Sequence, residues 1–99
     1  MIVVHAFARC RPDKRDTLVA ALRAAQQPTR AEDGCLEYQF FASIDDDTSF
    51  VAVERWRDLA ALQAHLQTPH IADLIGVLSD TLVEPFSIEA YDATPVELS

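Results

Sequence analysis

The chain has 99 residues, with 16 acidic side chains against 8 basic ones and a formal charge of −8. That length makes one domain with a thin core, and so acidic a surface repels phosphate backbones and anionic lipids, which argues against nucleic-acid and membrane partners. The apolar fraction, 49%, is more than one small core can hide, so a homodimer is expected.

No apolar run approaches the ~18 residues of a membrane span, and the N-terminus lacks the basic flank of a signal peptide, so a cytoplasmic protein is expected. Cys10 and Cys35 fit neither a redox pair nor a zinc spacing and read as small buried hydrophobes.

In chain order, Ile2 to Cys10 is apolar, β-branched at its start and bounded by Arg11-Pro12-Asp13, which predicts a strand. From Asp13 the period changes to 3.6, with Leu18, Leu22 and Ala25 on one face, and Pro28 is expected to stop or disturb this helix near Gln26 or Gln27. Glu32-Asp33-Gly34 reads as a turn with a left-handed glycine. Cys35 to Ile44 predicts a second strand, with Leu36, Tyr38, Phe40 and Ala42 on one face. Asp45-Asp46-Asp47 lacks the ligand spacing of a calcium loop and reads as a solvated hairpin tip, from which Ser49 to Trp56 returns as strand three.

Asp58 is placed to cap a short helix burying Leu59, Leu62 and Leu66. Thr68 caps the next, with Pro69 at its first position and Ile71, Leu74, Ile75, Leu78 and Leu82 as a core-facing stripe. Pro85 ends that run, Phe86 to Tyr91 reads as a fourth strand, and residues 92–99 form a polar tail beyond a domain spanning 1–91. The order β-α-β-β-α-α-β predicts an α+β, ferredoxin-like split βαβ fold with a four-stranded antiparallel sheet ordered 4-1-3-2. Cys10 and Cys35 then lie too far apart for a disulfide. Helices cover one sheet face, and pairing of the two bare faces would give a dimeric α/β barrel.

Chemistry-bearing residues cluster late in the chain. By alternation Trp56 shares a face with Phe50, Ala52 and Glu54; it is either core or the wall of a pocket, and the carboxylate beside it must reach water or a partner. His65 flanks the buried stripe of its helix, as a structural ring or a base. His70 sits near a helix N-terminus, which favours its neutral form, and His5 lies on the central strand. His65 and His70 are five apart on separate helices, which argues against a metal site. With only Gly34 and Gly76 in the chain there is no glycine-rich loop for flavin or nicotinamide, so no cofactor is expected.

Gly34-Cys35, Tyr38, and then Glu54, Trp56, Leu62, His65, Leu66, Thr68, Pro69 and His70 carry a resemblance, extending from Ile2 to about Tyr91, to the antibiotic biosynthesis monooxygenase family. The small quinol monooxygenases are the nearest match. The haem-degrading branch fits poorly, since its iron-binding histidine falls near Ile75. The resemblance implies a pocket between sheet and helices, lined by His5, Phe7, Trp56 and His65 with Tyr38, Phe40, Glu54 and His70. It implies cofactor-free oxidation of a quinol or polycyclic phenol by O₂, with His65 accepting the phenol proton and Trp56 stacking the ring. A non-redox isomerase and a non-catalytic aromatic-ligand-binding module stay open beside it.

Overall fold

A computed structural model describes residues 1–99. The chain runs β1 (Ile2–Arg9), a 3-10 turn at Pro12–Lys14, α1 (Arg15–Arg30), β2 (Cys35–Ala42), β3 (Ser49–Trp56), α2 (Leu59–His65), α3 (Pro69–Thr81) and β4 (Ser87–Asp92). All three helices pack on one side of an antiparallel sheet ordered β2-β3-β1-β4, the split βαβ arrangement expected from the pattern. Both cysteines are free.

The sheet is not closed into a barrel, which corrects that expectation. β2 and β4 are open edges, each bonded on one side only, and four strands are far short of the roughly eight a small barrel needs. The face away from the helices carries Phe7, Phe41 and Tyr91 half-exposed. No helix is long and apolar enough to cross a membrane.

Four local expectations change, one of them at Ile75, which is exposed although its spacing put it in the core-facing stripe of α3. α1 continues through Pro28 to Arg30. The proline forfeits only a bond to the carbonyl of solvent-exposed Ala24, and the last turn is anchored by fully buried Thr29 and by Arg30 Nε donating to Tyr38 O at 2.9 Å. In α2 the buried residues are Ala61, Leu62 and His65, while Leu59 and Leu66 are exposed. The cap explains this rotation: Asp58 Oδ1 accepts from Ala61 N at 2.9 Å and fixes where the helix starts relative to the sheet. A bulge between Cys35 and Glu37 turns Leu36 outward, leaving Tyr38 and Phe40 to face the helices.

The pairing Ile2–Trp56, Val4–Glu54 and Ala6–Ala52, extended by Tyr38–Glu54 and Phe40–Ala52, puts those side chains on the helix-covered face. His5 and Phe7, opposite Val53 and Val51, belong to the other face. Two apolar clusters fill the covered side. The larger joins Leu18, Leu22, Phe50, Leu74 and Leu78. The smaller joins Val4, Tyr38, Trp56, Ala61 and Leu62 beneath α2.

Candidate functional site

The site lies where β3 ends under α2. Trp56 is fully buried, and its Nε1 donates to Glu54 Oε1 at 2.9 Å. The carboxylate at this position therefore has its partner within the same strand. Burial pushes Glu54 up to about 7; the charge of Glu32 adds to the rise, and the indole N–H opposes it.

His65 comes down onto this pair from the last turn of α2. Its ring centroid lies 4.6 Å from that of Trp56, tilted by 35°, and 5.4 Å edge-on from that of Tyr38. Its Nδ1 is 2.8 Å from Glu32 Oε2, and His70 Nε2 lies 2.7 Å from the same oxygen. A carboxylate only accepts, so both ring nitrogens donate to it. That assigns the His65 proton to Nδ1 and leaves Nε2 with a free lone pair. Burial holds His65 below its usual imidazole range, against the hydrogen bond and charge of Glu32, so the ring is neutral at pH 7. Hydrogen bonds tie the connection between the helices: Thr68 Oγ1 donates to His65 O at 2.7 Å and caps α3 by accepting from Ile71 N.

Beside His65 lies a cavity of about 90 Å³, and sixteen of its eighteen lining residues are hydrophobic. The two exceptions are Glu54 and His65; the Tyr38 phenol also lines the cavity, and burial pushes it up so that it stays protonated. Tyr38, Phe40 and Ala52 form its sheet wall and Leu74 part of its helix wall. Ile75, Phe86 and Ile88 line it while remaining exposed to solvent, which marks its mouth. Its volume is below the ~150 Å³ of a dry cavity that takes benzene, so an aromatic ring would be enclosed only in part.

The expected site residues divide accordingly. His65, Glu54, Tyr38 and Phe40 line the cavity together. Phe7 reaches its edge, although by alternation its side chain belongs to the outer face. Trp56 does not line it; the indole packs behind His65 and Glu54. His5 is on the far face, 6.4 Å from the rings of Phe7 and Tyr91. His70 joins His65 through Glu32 and stays outside the cavity.

Glu32 is the residue that the sequence pattern concealed in a turn. The visible signal was Gly34, whose φ of +86° lets the turn press against α2, where an added Cβ would meet Ala61 Cβ at 2.6 Å. The separation that argued against a shared site for His65 and His70 is bridged by the same turn. Glu32, His65 and His70 bring one ligand-type atom each to within 4.8 Å of one another.

Comparison with known proteins agrees with this architecture. Residues 1–76 match the family model described as antibiotic biosynthesis monooxygenase. The chain is 36% identical over 90 residues to the uncharacterized protein sll1783 of Synechocystis, covering 91% of this chain and 61% of that relative's length. It is 30% identical over 88 residues to the candidate monooxygenase YcnE of Bacillus subtilis, covering 89% and 93% of the two chains. The solved structure of Rv0793 from Mycobacterium tuberculosis superposes with a TM-score of 0.89 at 36% identity, covering 99% of this chain and 98% of that one. The chain belongs to the antibiotic biosynthesis monooxygenase family and is classed with its monooxygenase-type oxidoreductases.

Proposed function

We propose that this chain oxidises a small quinol with O₂ and without a cofactor, using His65 as the base. The observation that carries the reading is the Glu32–His65 contact of 2.8 Å, which places the imidazole proton on Nδ1 and leaves Nε2 free beside an apolar cavity. A quinol hydroxyl there gives its proton to Nε2, and the electron-rich phenolate passes one electron to O₂. Recombination forms a carbon–oxygen bond on the ring, and loss of water gives a hydroxyquinone. One oxygen atom enters the product and the other leaves as water, all four electrons coming from the substrate. The apolar walls exclude bulk water from the radical pair. The partly enclosed cavity favours a single ring, with any second ring projecting past Ile75, Phe86 and Ile88.

Oxygen uptake with a panel of mono- and bicyclic quinols, wild type beside His65→Ala, tests this. Uptake above autoxidation that is lost in the variant is the expected result; equal uptake by both proteins would remove His65 as base. Product formation without oxygen uptake would instead point to isomerase chemistry, and saturable binding without turnover to a ligand-binding module. The same reading includes self-association, checked by sedimentation velocity, where a monomer at all concentrations would refute it.

A further inference from the structure

We propose that Glu32, His65 and His70 form a regulatory site for a borderline divalent transition-metal ion such as Zn²⁺, and that its occupancy switches off His65 as a base. The inference rests on the reading of His65 given above, and the ion site itself stands on geometry alone. Two imidazole nitrogens and one carboxylate oxygen suit zinc, nickel, copper or cobalt, whereas a single oxygen donor is a poor set for calcium or magnesium. The donor atoms already lie within 4.8 Å of one another, with both nitrogens at 2.7–2.8 Å from Glu32 Oε2. Tetrahedral coordination at ~2.1 Å needs donors ~3.4 Å apart, so each nitrogen–oxygen pair opens by roughly 0.6–0.7 Å and the fourth position takes water.

The donors sit on three segments that the fold fixes: the turn after α1, the last turn of α2 and the first turn of α3. Thr68 ties the two histidine-bearing segments together. The His65 side chain is 3% exposed and that of His70 23%, so an ion would arrive past His70. Neither Glu32 nor His70 lines the cavity, so the ion would touch the far edge of the His65 ring and not the substrate.

Its effect follows from proton bookkeeping on one ring. A metal–Nδ1 bond needs the lone pair there, so the Nδ1 proton moves to Nε2, and on His70 the Nε2 proton moves to Nδ1. No proton is released, Glu32 stays a carboxylate, and the charge of the three side chains with the ion goes from −1 to +1. Nε2–H cannot accept a proton from a phenol, so turnover stops.

The test is a Co²⁺ titration of the whole protein followed by visible absorption, Zn²⁺ displacement and ¹⁵N-histidine NMR. Expected are one Co²⁺ per chain, displaced by Zn²⁺, with affinity reduced about tenfold or more in both His70→Ala and Glu32→Gln. The His65 Nε2 resonance should move from the unprotonated to the protonated range as the site fills, whether or not a substrate has been found. In the quinol assay, activity should fall in step with occupancy. Absence of cobalt bands, or bands unchanged in both variants when circular dichroism shows them folded, would mean an adventitious ion only. An unmoved Nε2 resonance, or full turnover by the occupied protein, would overturn the switch.

Discussion

Glu54 and Trp56 stand two residues apart on the covered face of β3, and the indole N–H of one satisfies the buried carboxylate of the other at 2.9 Å. The bond supplies one donor to a group that burial has taken out of water, and Glu54 still rises to about 7. Its folded-state value thus lies above the ordinary carboxylate value of 4.5, so the folded protein holds a proton that the unfolded chain gives up. Stability from this group is complete below ~4.5, falls as the pH rises toward 7, and is flat above; the full span is on the order of 3 kcal/mol. Glu54→Gln keeps an acceptor for the indole and removes the ionisation. Denaturant titrations from pH 5 to 9 should show the variant gaining on the wild type as pH rises. Parallel curves would show that Glu54 titrates normally.

Glu32 does not touch the cavity, and in the proposed reaction its part would be to hold the His65 tautomer. His65→Ala should lower kcat by ~10²–10⁴-fold, the usual share of a general base. Glu32→Gln should lower kcat by ~10–100-fold with little change in KM, because the ring remains but its proton is no longer assigned. A Glu32→Gln variant that changes KM alone would place Glu32 in substrate binding instead.

Ala52 is buried and lines the cavity floor. Ala52→Leu adds three carbons to a space of about 90 Å³ and should abolish quinol turnover while the melting temperature shifts by only a few degrees. Undiminished turnover in a folded Ala52→Leu protein would mean that the reaction takes place elsewhere.

The two glycines should answer a Cβ in opposite directions. At Gly34 the backbone is left-handed and the new atom would sit 2.6 Å from Ala61, so Gly34→Ala should cost more than ~1 kcal/mol and loosen the turn carrying Glu32. Gly76 lies on the exposed side of α3 with open space around it, and Gly76→Ala should stabilise by up to ~1 kcal/mol. Thermal melts of the two variants give the comparison directly.

Periodicity and turn chemistry made the fold readable: β3 has the bounds its alternation implies, and Asp58 and Thr68 cap the helices that follow them. Helix rotation was less legible. The stripe through Leu59 and Leu66 was as good a period as the buried one, and only the docking of α2 on Trp56 favours Ala61, Leu62 and His65. The face occupied by His5 depends on strand parity, which the register between β1 and β3 settles and which its own sequence does not. Glu32 was hidden for a different reason. A glutamate in a polar turn looks solvated until residues more than thirty positions later fold over it.

The Glu32–His70 contact spans 38 positions along the chain, and the segment it encloses contains the whole β2–β3 hairpin and α2. A carboxylate shared by two imidazoles thereby acts as a clasp on a long loop, closed only once both helices have docked. The tautomer of His65 is consequently fixed by Glu32 only in chains whose hairpin is seated. Half-folded molecules, with the hairpin adrift, carry the same side chains without the Glu32 contact that orients the His65 ring.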